Sequence, residues 1–340
     1  MQVVVTGACG HIGATLVRDL IARGHRVRAL VHPRTHTPAS LAGLDVERAS
    51  GDVLDPDSLR AAFRGAEAVY HLAALISIDG DRGGLVRRVN VDGARNAAMA
   101  SRAEGVRRHV HVSSVHAFDH HPVDVPLDET RARPGPRHPT YDRTKAAGEA
   151  AVREVIAQGL DAVIVNPTGV IGPRDYTPSR VGQMLLQLAR RRMPAASNGG
   201  FDWVDVRDVS RSLIVAAERG RTGENYLLSG QYLSVVQFFE TVERVSGIKT
   251  PRRVVPRALE ELAADAFTLA SRVFGTRPHF TREAIHALHG SRTIDGRRAA
   301  RELGHRARPI EDTLRDAVAW FAHSGRLPAL RARFAEEVPS

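Results

Sequence analysis

The sequence predicts an α/β fold built on a doubly wound parallel sheet, with a smaller C-terminal lobe. Three observations carry that expectation. Short apolar runs alternate with helical patterns through the first half, the signature of strands joined by right-handed helical crossovers. A glycine triplet separates the first apolar run from the first helix. The second half loses this regularity after a Pro- and Gly-rich stretch at 167–178. The chain has 340 residues, 43% hydrophobic and 25% charged, an ordinary globular composition of a length that suits about two domains.

Taken in order, 2–6 reads as a buried strand and 11–23 as a helix that stops at Gly24. Strands follow at 26–31 and 46–50, a short helix at 57–63, a strand at 68–72 and a long helix at 85–104. A fifth strand at 109–113, a helix at 142–158 and a sixth strand at 161–166 complete the alternation. Beyond it the patterns predict helices at 180–190, 209–219, 259–274 and 313–323, and strands at 202–206 and 225–229. The apolar stripe of 259–274 reads first as core packing, with a pocket wall or a membrane surface as alternatives. The expected division is a first domain at 1–166, with 202–229 returning to it, and a second lobe over 167–340, interleaved with the first.

Composition excludes several classes. No apolar run approaches the ~18 residues of a membrane span, and the first residues lack the pattern of a signal peptide. One cysteine, Cys9, cannot form a disulfide within the chain, which points to a reducing, cytoplasmic setting. The net charge of +10 raises nucleic acid as a partner. The cations are dispersed, however, all but Lys145 and Lys249 are arginine, and aromatics are only 5%. A solvated basic surface is the better reading, and no nucleic-acid partner is expected.

The chemistry begins at Thr6-Gly7-Ala8-Cys9-Gly10-His11-Ile12-Gly13. A glycine turn between a strand and a helix lets backbone N–H groups approach a pyrophosphate, and the helix N-terminus adds partial positive charge. The last glycine lets helix and sheet pack closely. This context makes the sheet Rossmann-type and predicts a dinucleotide held by Gly7, Cys9, Gly10, His11, Ile12 and Gly13. Cys9 reads as a small loop residue, not a nucleophile. After the second strand comes Leu30-Val31-His32-Pro33-Arg34, with no acid to bind a ribose 2′-hydroxyl. Arg34, with Arg28 on the same strand, favours a 2′-phosphate, so NADP is expected and NAD is the alternative. Asp52, followed by Val53, is placed either to hold the adenine amino group or to make an Asx turn.

Tyr141 and Lys145 are four apart at the start of a helix, on one face. An ammonium near a phenol stabilises the phenolate, which would let tyrosine pass a proton to or from a substrate oxygen. In a chain with two lysines, one at this spacing is informative. Ser113 and Ser114 close the fifth strand at the sheet's carboxyl edge, and alternation lets only one of them face the site. His109 and His111 share a strand face, yet no metal-ligand spacing accompanies them and no metal is expected.

These motifs, with Gly51-Asp52, His71-Leu72-Ala73-Ala74, Asn90-Val91-Asp92-Gly93, Asn166-Pro167-Thr168 and Gly172-Pro173, resemble the extended short-chain dehydrogenase/reductase family and its NAD-dependent epimerase/dehydratase branch. The chain looks most like the dihydroflavonol reductase-like group and the hopanoid-associated sugar epimerases. Its second half is similar to 3β-hydroxysteroid dehydrogenases. The resemblance implies Ser114 as hydrogen-bond donor, Tyr141 as acid/base and Lys145 as its electrostatic partner. It implies cofactor contacts from His32, Leu72, Ala73, Ala74, Asn90, Tyr141, Lys145 and Pro167, and pairing of two copies through the helices at 85–104 and 142–158.

There are departures. His32 stands where the reductase-like group commonly has arginine, and His116 stands where sugar dehydratases carry a glutamate. Histidine there could shuttle a proton or simply wall the pocket. The expected function is an NAD(P)-dependent oxidoreductase acting on a small-molecule carbonyl or alcohol. A sugar-nucleotide epimerase with bound NAD is the runner-up; its diphosphate would need cations such as Arg174, Arg180 or Arg190. The third reading is a cofactor-sensing regulator without turnover, against which the intact Ser114, Tyr141 and Lys145 argue.

Overall fold

A computed structural model describes residues 1–35, 39–273 and 281–335. In chain order it contains β1 (Gln2–Thr6), α1 (His11–Ala22), β2 (Arg26–Val31), β3 (Glu47–Ser50), α2 (Pro56–Phe63), β4 (Ala68–His71), α3 (Leu85–Arg87), a π-helical turn (Arg88–Asp92), α4 (Gly93–Ala103), β5 (Arg108–Val112) and α5 (Thr140–Ile156). There follow β6 (Ala162–Pro167), β7 (Gly169–Ile171), α6 (Arg180–Ala189), β8 (Ala196–Ser197), β9 (Gly200–Asp205), α7 (Val206–Arg219), β10 (Asn225–Leu228), β11 (Gln231–Ser234) and α8 (Val235–Ser246). The chain closes with β12 (Val254–Val255), α9 (Arg257–Val273), α10 (Arg282–Leu288), α11 (Arg297–Leu303) and α12 (Ile310–His323).

Seven strands form one parallel sheet in the order β10-β6-β5-β4-β1-β2-β3. Val3, Val4 and Val5 of β1 are wholly buried because helices cover both faces of the sheet. One layer packs α1 against α7, and the other packs α2, α4 and α5 side by side. The order reverses between β1 and β4, so the carboxyl ends of those strands flank the crevice where open α/β sheets receive ligands. Among the described residues no helix is long and apolar enough to cross a membrane.

The second half departs from the simple alternation. Of the stretch 202–229, β10 is the edge strand of the seven-stranded sheet and α7 packs on α1, whereas β9 belongs to a separate three-stranded sheet, β11-β9-β7. Strand β7 lies inside the Pro- and Gly-rich stretch read as loop. It is only three residues long, too short for its periodicity to register. Helix α8 lies where no helix was expected, yet its signals are strong. Ser234 and Gln237 form a reciprocal capping box, Phe238, Phe239, Val242 and Val245 are buried at helical spacing, and Gly247 stops the helix at φ +71°. Helices α10 and α11 are seven residues each, below the length at which a pattern is distinct.

Helix α9 corrects another expectation. Its large apolar side chains do not enter the core: Leu259, Leu262, Phe267 and Leu269 are 56%, 66%, 59% and 64% exposed. The helix buries Glu260 and Ala264 instead. Phe274, the expected end of that stripe, lies outside the described residues.

Candidate active site

The carboxyl edge of the seven-stranded sheet gathers most of the predicted residues. The turn from β1 to α1 holds Gly7, Cys9 and Gly10, and the first turn of α1 holds His11, Ile12 and Gly13. Helix α1 starts at Gly10 with no side-chain cap and no acid in its first turn, so its N–H groups are left for a ligand. Two glycines are obligatory. Gly7 has φ +67°, and a Cβ there would come 2.8 Å from the Ala73 nitrogen. A Cβ on Gly13 would come 2.2 Å from the Gly7 oxygen. These glycines let the turn pack against α1 and the segment after β4. Thr6 fixes the neighbouring strand: its Oγ1 accepts N–H bonds from Leu72 (3.2 Å) and Ala73 (3.3 Å), which leads Ala74 along the crevice.

Several expected cofactor contacts are engaged within the protein. The His11 Nε2 pairs with the Pro173 carbonyl at 2.9 Å. Ile12 packs against the core and Val53 is buried in it. Burial pushes the Cys9 thiol up. Asn90, in the π-helical turn, accepts from Leu75 N (2.8 Å) and donates to Leu75 O (3.0 Å) and Thr144 Oγ1 (3.1 Å). Its amide holds the post-β4 segment to α5.

The ribose end also differs from the sequence reading. The end of β2 has a carboxylate neighbour after all. Asp52, following β3, places Oδ2 3.3 Å from His32 Nε2, while its Oδ1 accepts from Leu54 N at 3.0 Å in an Asx turn. Parallel pairing of β2 with β3 brings together two residues twenty positions apart. Arg28 is not available there. Its guanidinium donates to Glu47 (2.7 Å) and to the Ala62 carbonyl (2.6 Å). Arg34 remains exposed, with its backbone N–H donating to His32 Nδ1 at 3.2 Å.

The other half of the crevice holds Ser114, Tyr141 and Lys145. Ser114 follows β5, Tyr141 and Lys145 rise from the first turns of α5, and Pro167 ends β6. The Lys145 ammonium donates to the Val112 carbonyl at 3.1 Å. Burial brings Lys145 down to about 8, opposed by Glu149. The Tyr141 phenol is pushed up to about 12, chiefly by burial and also by the Asp142 charge, with a Ser114 hydrogen bond pulling the other way. Lys145, expected to lower the phenol, is not among the groups that shift it; burial dominates. Ser114 is the serine turned to the tyrosine. Ser113 Oγ is buried and has no partner among the described residues.

A network invisible in the sequence fixes Ser114 from behind. Asn166 Nδ2 donates to the Ser114 carbonyl (2.9 Å) and to Glu149 (2.6 Å). Asn225 Nδ2 donates to Glu149 (3.0 Å) and Asn166 Oδ1 (2.8 Å), and Arg133 pairs with Glu149 at 2.9 Å. Three polar residues on α5, β6 and β10 thus satisfy one another in the core. On the open side, His116 stacks on Phe201 (centroids 5.7 Å apart) and meets Tyr141 edge-on at 5.6 Å. His109 and His111 are interior, tilted against and stacked on His71 respectively; no group of three or more His, Cys, Asp or Glu that could hold a metal occurs among the described residues.

The model of the NAD-dependent epimerase/dehydratase family matches residues 3–229. This chain belongs to that family. Within the extended short-chain dehydrogenase/reductases, it is 40% identical to sterol demethylase protein B of Methylococcus capsulatus, over 96% of this chain and 100% of that protein. It is 33% identical to a Synechocystis protein named for dihydroflavonol 4-reductase, over 94% of each. Among solved structures, gox2253 superposes with a TM-score of 0.82 at 35% identity, covering 96% of this chain and 99% of the other.

Proposed function

We propose that this chain is an NADP-preferring oxidoreductase that reduces a carbonyl to an alcohol, or runs the reverse reaction, on an apolar small molecule. The observation that carries the reading is Tyr141 beside Ser114, with Lys145 anchored one turn along the same helix, on the same sheet edge as an uncapped helix N-terminus and a glycine turn. When bound, the nicotinamide supplies or accepts the hydride. Ser114 donates a hydrogen bond to the substrate oxygen and holds it against Tyr141. Tyr141 gives its proton to that oxygen during reduction. Lys145, anchored on Val112, supplies positive charge where the phenolate develops. Gly7, Gly10 and Gly13 admit the pyrophosphate, Ala73 and Ala74 border the ribose, and exposed Arg34 pairs with a 2′-phosphate. Residues 1–166 with β10 serve the cofactor, and the rest of the second half shapes the substrate site.

The name of the relative from Methylococcus capsulatus supports an apolar substrate. The family's own description supports the second reading, a sugar-nucleotide epimerase. That reading requires cations for a diphosphate, and the candidates are drawn elsewhere. Arg174 faces Asp19 at 3.7 Å, Arg190 donates to the Arg326 carbonyl at 3.0 Å, and Arg180 lies near Asp79.

Fluorescence titration of cofactor-stripped protein with NADPH and NADH, followed by a panel of ketones and aldehydes, tests the proposal. Tighter NADPH binding with turnover of a ketone supports it. Tighter NADH binding, a cofactor that resists stripping and no ketone turnover would move the epimerase to first place.

A further inference from the structure

Helix α9 carries an apolar stripe that nothing in the chain covers. Among the described residues, Leu259, Leu262, Phe267 and Leu269 are the four most exposed of the large apolar side chains. Leu259, Leu262, Ala266, Leu269 and Ala270 recur at the three- and four-residue spacing that lines up one helix face, and all five are exposed. Phe267 widens the stripe along one edge. Glu260 and Ala264 mark the side that is buried. A contiguous apolar surface of this kind costs free energy in water and marks a face that is covered in use.

Charge indicates what covers it. No unpaired acid interrupts the stripe. Glu261 and Asp265 lie on its flank and are tied to Arg257 (2.9 Å) and Arg282 (2.6 Å). Cations gather at the start of the helix. Arg253 is exposed and makes no ion pair among the described residues. The same holds for Arg292, which with Arg257 bears on His289, itself 3.8 Å from Glu260 in the first turn of α9. An apolar strip with uncompensated positive charge at one end complements a surface that is negative outside and apolar within. A second protein fits less well. A stable pair takes about 20–30 residues from each side, whereas one convex helix offers four large side chains.

We propose that α9 lies in the surface of a bilayer containing anionic lipid. Leu259, Leu262, Phe267 and Leu269 enter the acyl boundary, and Arg253 and Arg292 meet the headgroups. The attachment has a consequence for the crevice. Helix α9 packs on α10. Thr281, which caps α10, donates Oγ1 to the Ile78 carbonyl at 2.6 Å, in the segment after β4. His286 of α10 lies 3.9 Å from Asp142, the neighbour of Tyr141 in the chain. Docking through α9 thus holds the Tyr141 side of the crevice close to lipid, where an apolar substrate resides. The attachment itself is independent of the proposed reaction and is measured without cofactor or substrate.

The test is co-sedimentation of the full chain with vesicles of phosphatidylcholine alone and with roughly 30% phosphatidylglycerol added. The unaltered protein should bind the anionic vesicles at least about tenfold more tightly, and high salt should release it. The double variant Leu262→Gln, Leu269→Gln should lose at least about tenfold in affinity. Both side chains are largely exposed, so its circular dichroism and melting should match the unaltered protein. Arg253→Gln should weaken binding to the anionic vesicles by about fivefold and leave phosphatidylcholine binding unchanged. Met99→Gln, which removes an exposed apolar side chain from α4, should change nothing. No binding, equal affinity for the two vesicle types, or unchanged binding by the double variant overturns the proposal. A dimer in light scattering that the double variant loses assigns the face to a second copy and overturns it as well.

Discussion

The two ends of the crevice are built on opposite principles. The β1–α1 cradle works by what is missing: Gly7 and Gly13 leave no room for a Cβ, and α1 begins without a cap. The Tyr141 corner works by what is present: Ser114, Lys145, Glu149, Asn166, Asn225 and a buried Asp142 crowd one volume and satisfy or shift one another. Backbone can bind an anion without titrating. Moving a proton requires groups whose affinities are set by burial and neighbours. The two ends should therefore fail differently when altered.

The largest effect should come from Tyr141→Phe. Loss of the proton donor should cut turnover by at least about a thousandfold, about 4 kcal/mol in barrier, while cofactor affinity stays within about threefold. A variant with near-normal kcat measured by NADPH oxidation would place the acid elsewhere. The complementary break is Gly13→Ala. A Cβ 2.2 Å from the Gly7 oxygen must push the turn and α1 apart. Cofactor affinity should fall by about a hundredfold, about 3 kcal/mol, seen by fluorescence titration.

Lys145 gives the next test, on stability. Its folded value of about 8 lies below the ordinary ~10.4. Between those values the unfolded chain keeps a proton that the folded chain has released, so stability rises with pH across that window. Urea unfolding at pH 8 and pH 10 should show a gain on the order of 1–3 kcal/mol, which Lys145→Met should remove. An equal gain in the variant would assign the pH dependence to other groups. The smallest effect should be Arg34→Ala, which should weaken NADPH by about tenfold and leave NADH unchanged, about 1.4 kcal/mol of discrimination. Equal losses for both cofactors would leave Asp52 and His32 as the determinants at that end.

The cradle was legible because its code is local. Strand, glycines and helix follow within twelve residues, and each residue type has one physical reason to be there. The Tyr141–Lys145 pair was legible for the same reason, since both lie on one helix. What stayed hidden depends on register between distant segments. Nothing near Asp52 in the sequence points to His32, and nothing near Asn166 points to Asn225. Parallel pairing of β2 with β3 and of β6 with β10 brings them together. The direction of the Tyr141 shift was missed because spacing shows a lysine on the same face but not how much water is excluded. The short elements of the second half were missed for lack of length, whereas α8 was readable from Ser234, Gln237 and its apolar spacing.

Asn225 lies on β10, 111 positions after Ser114 in the numbering of this chain, yet it closes the network that steadies the Ser114 backbone. The glycine turn draws its contacts from β1, α1 and the residues after β4, all within the first 75 positions. The support of Ser114 is completed by the edge strand, far later in the chain. Local sequence thus sets one end of the crevice, whereas the other is held together from across the whole first two thirds of the chain.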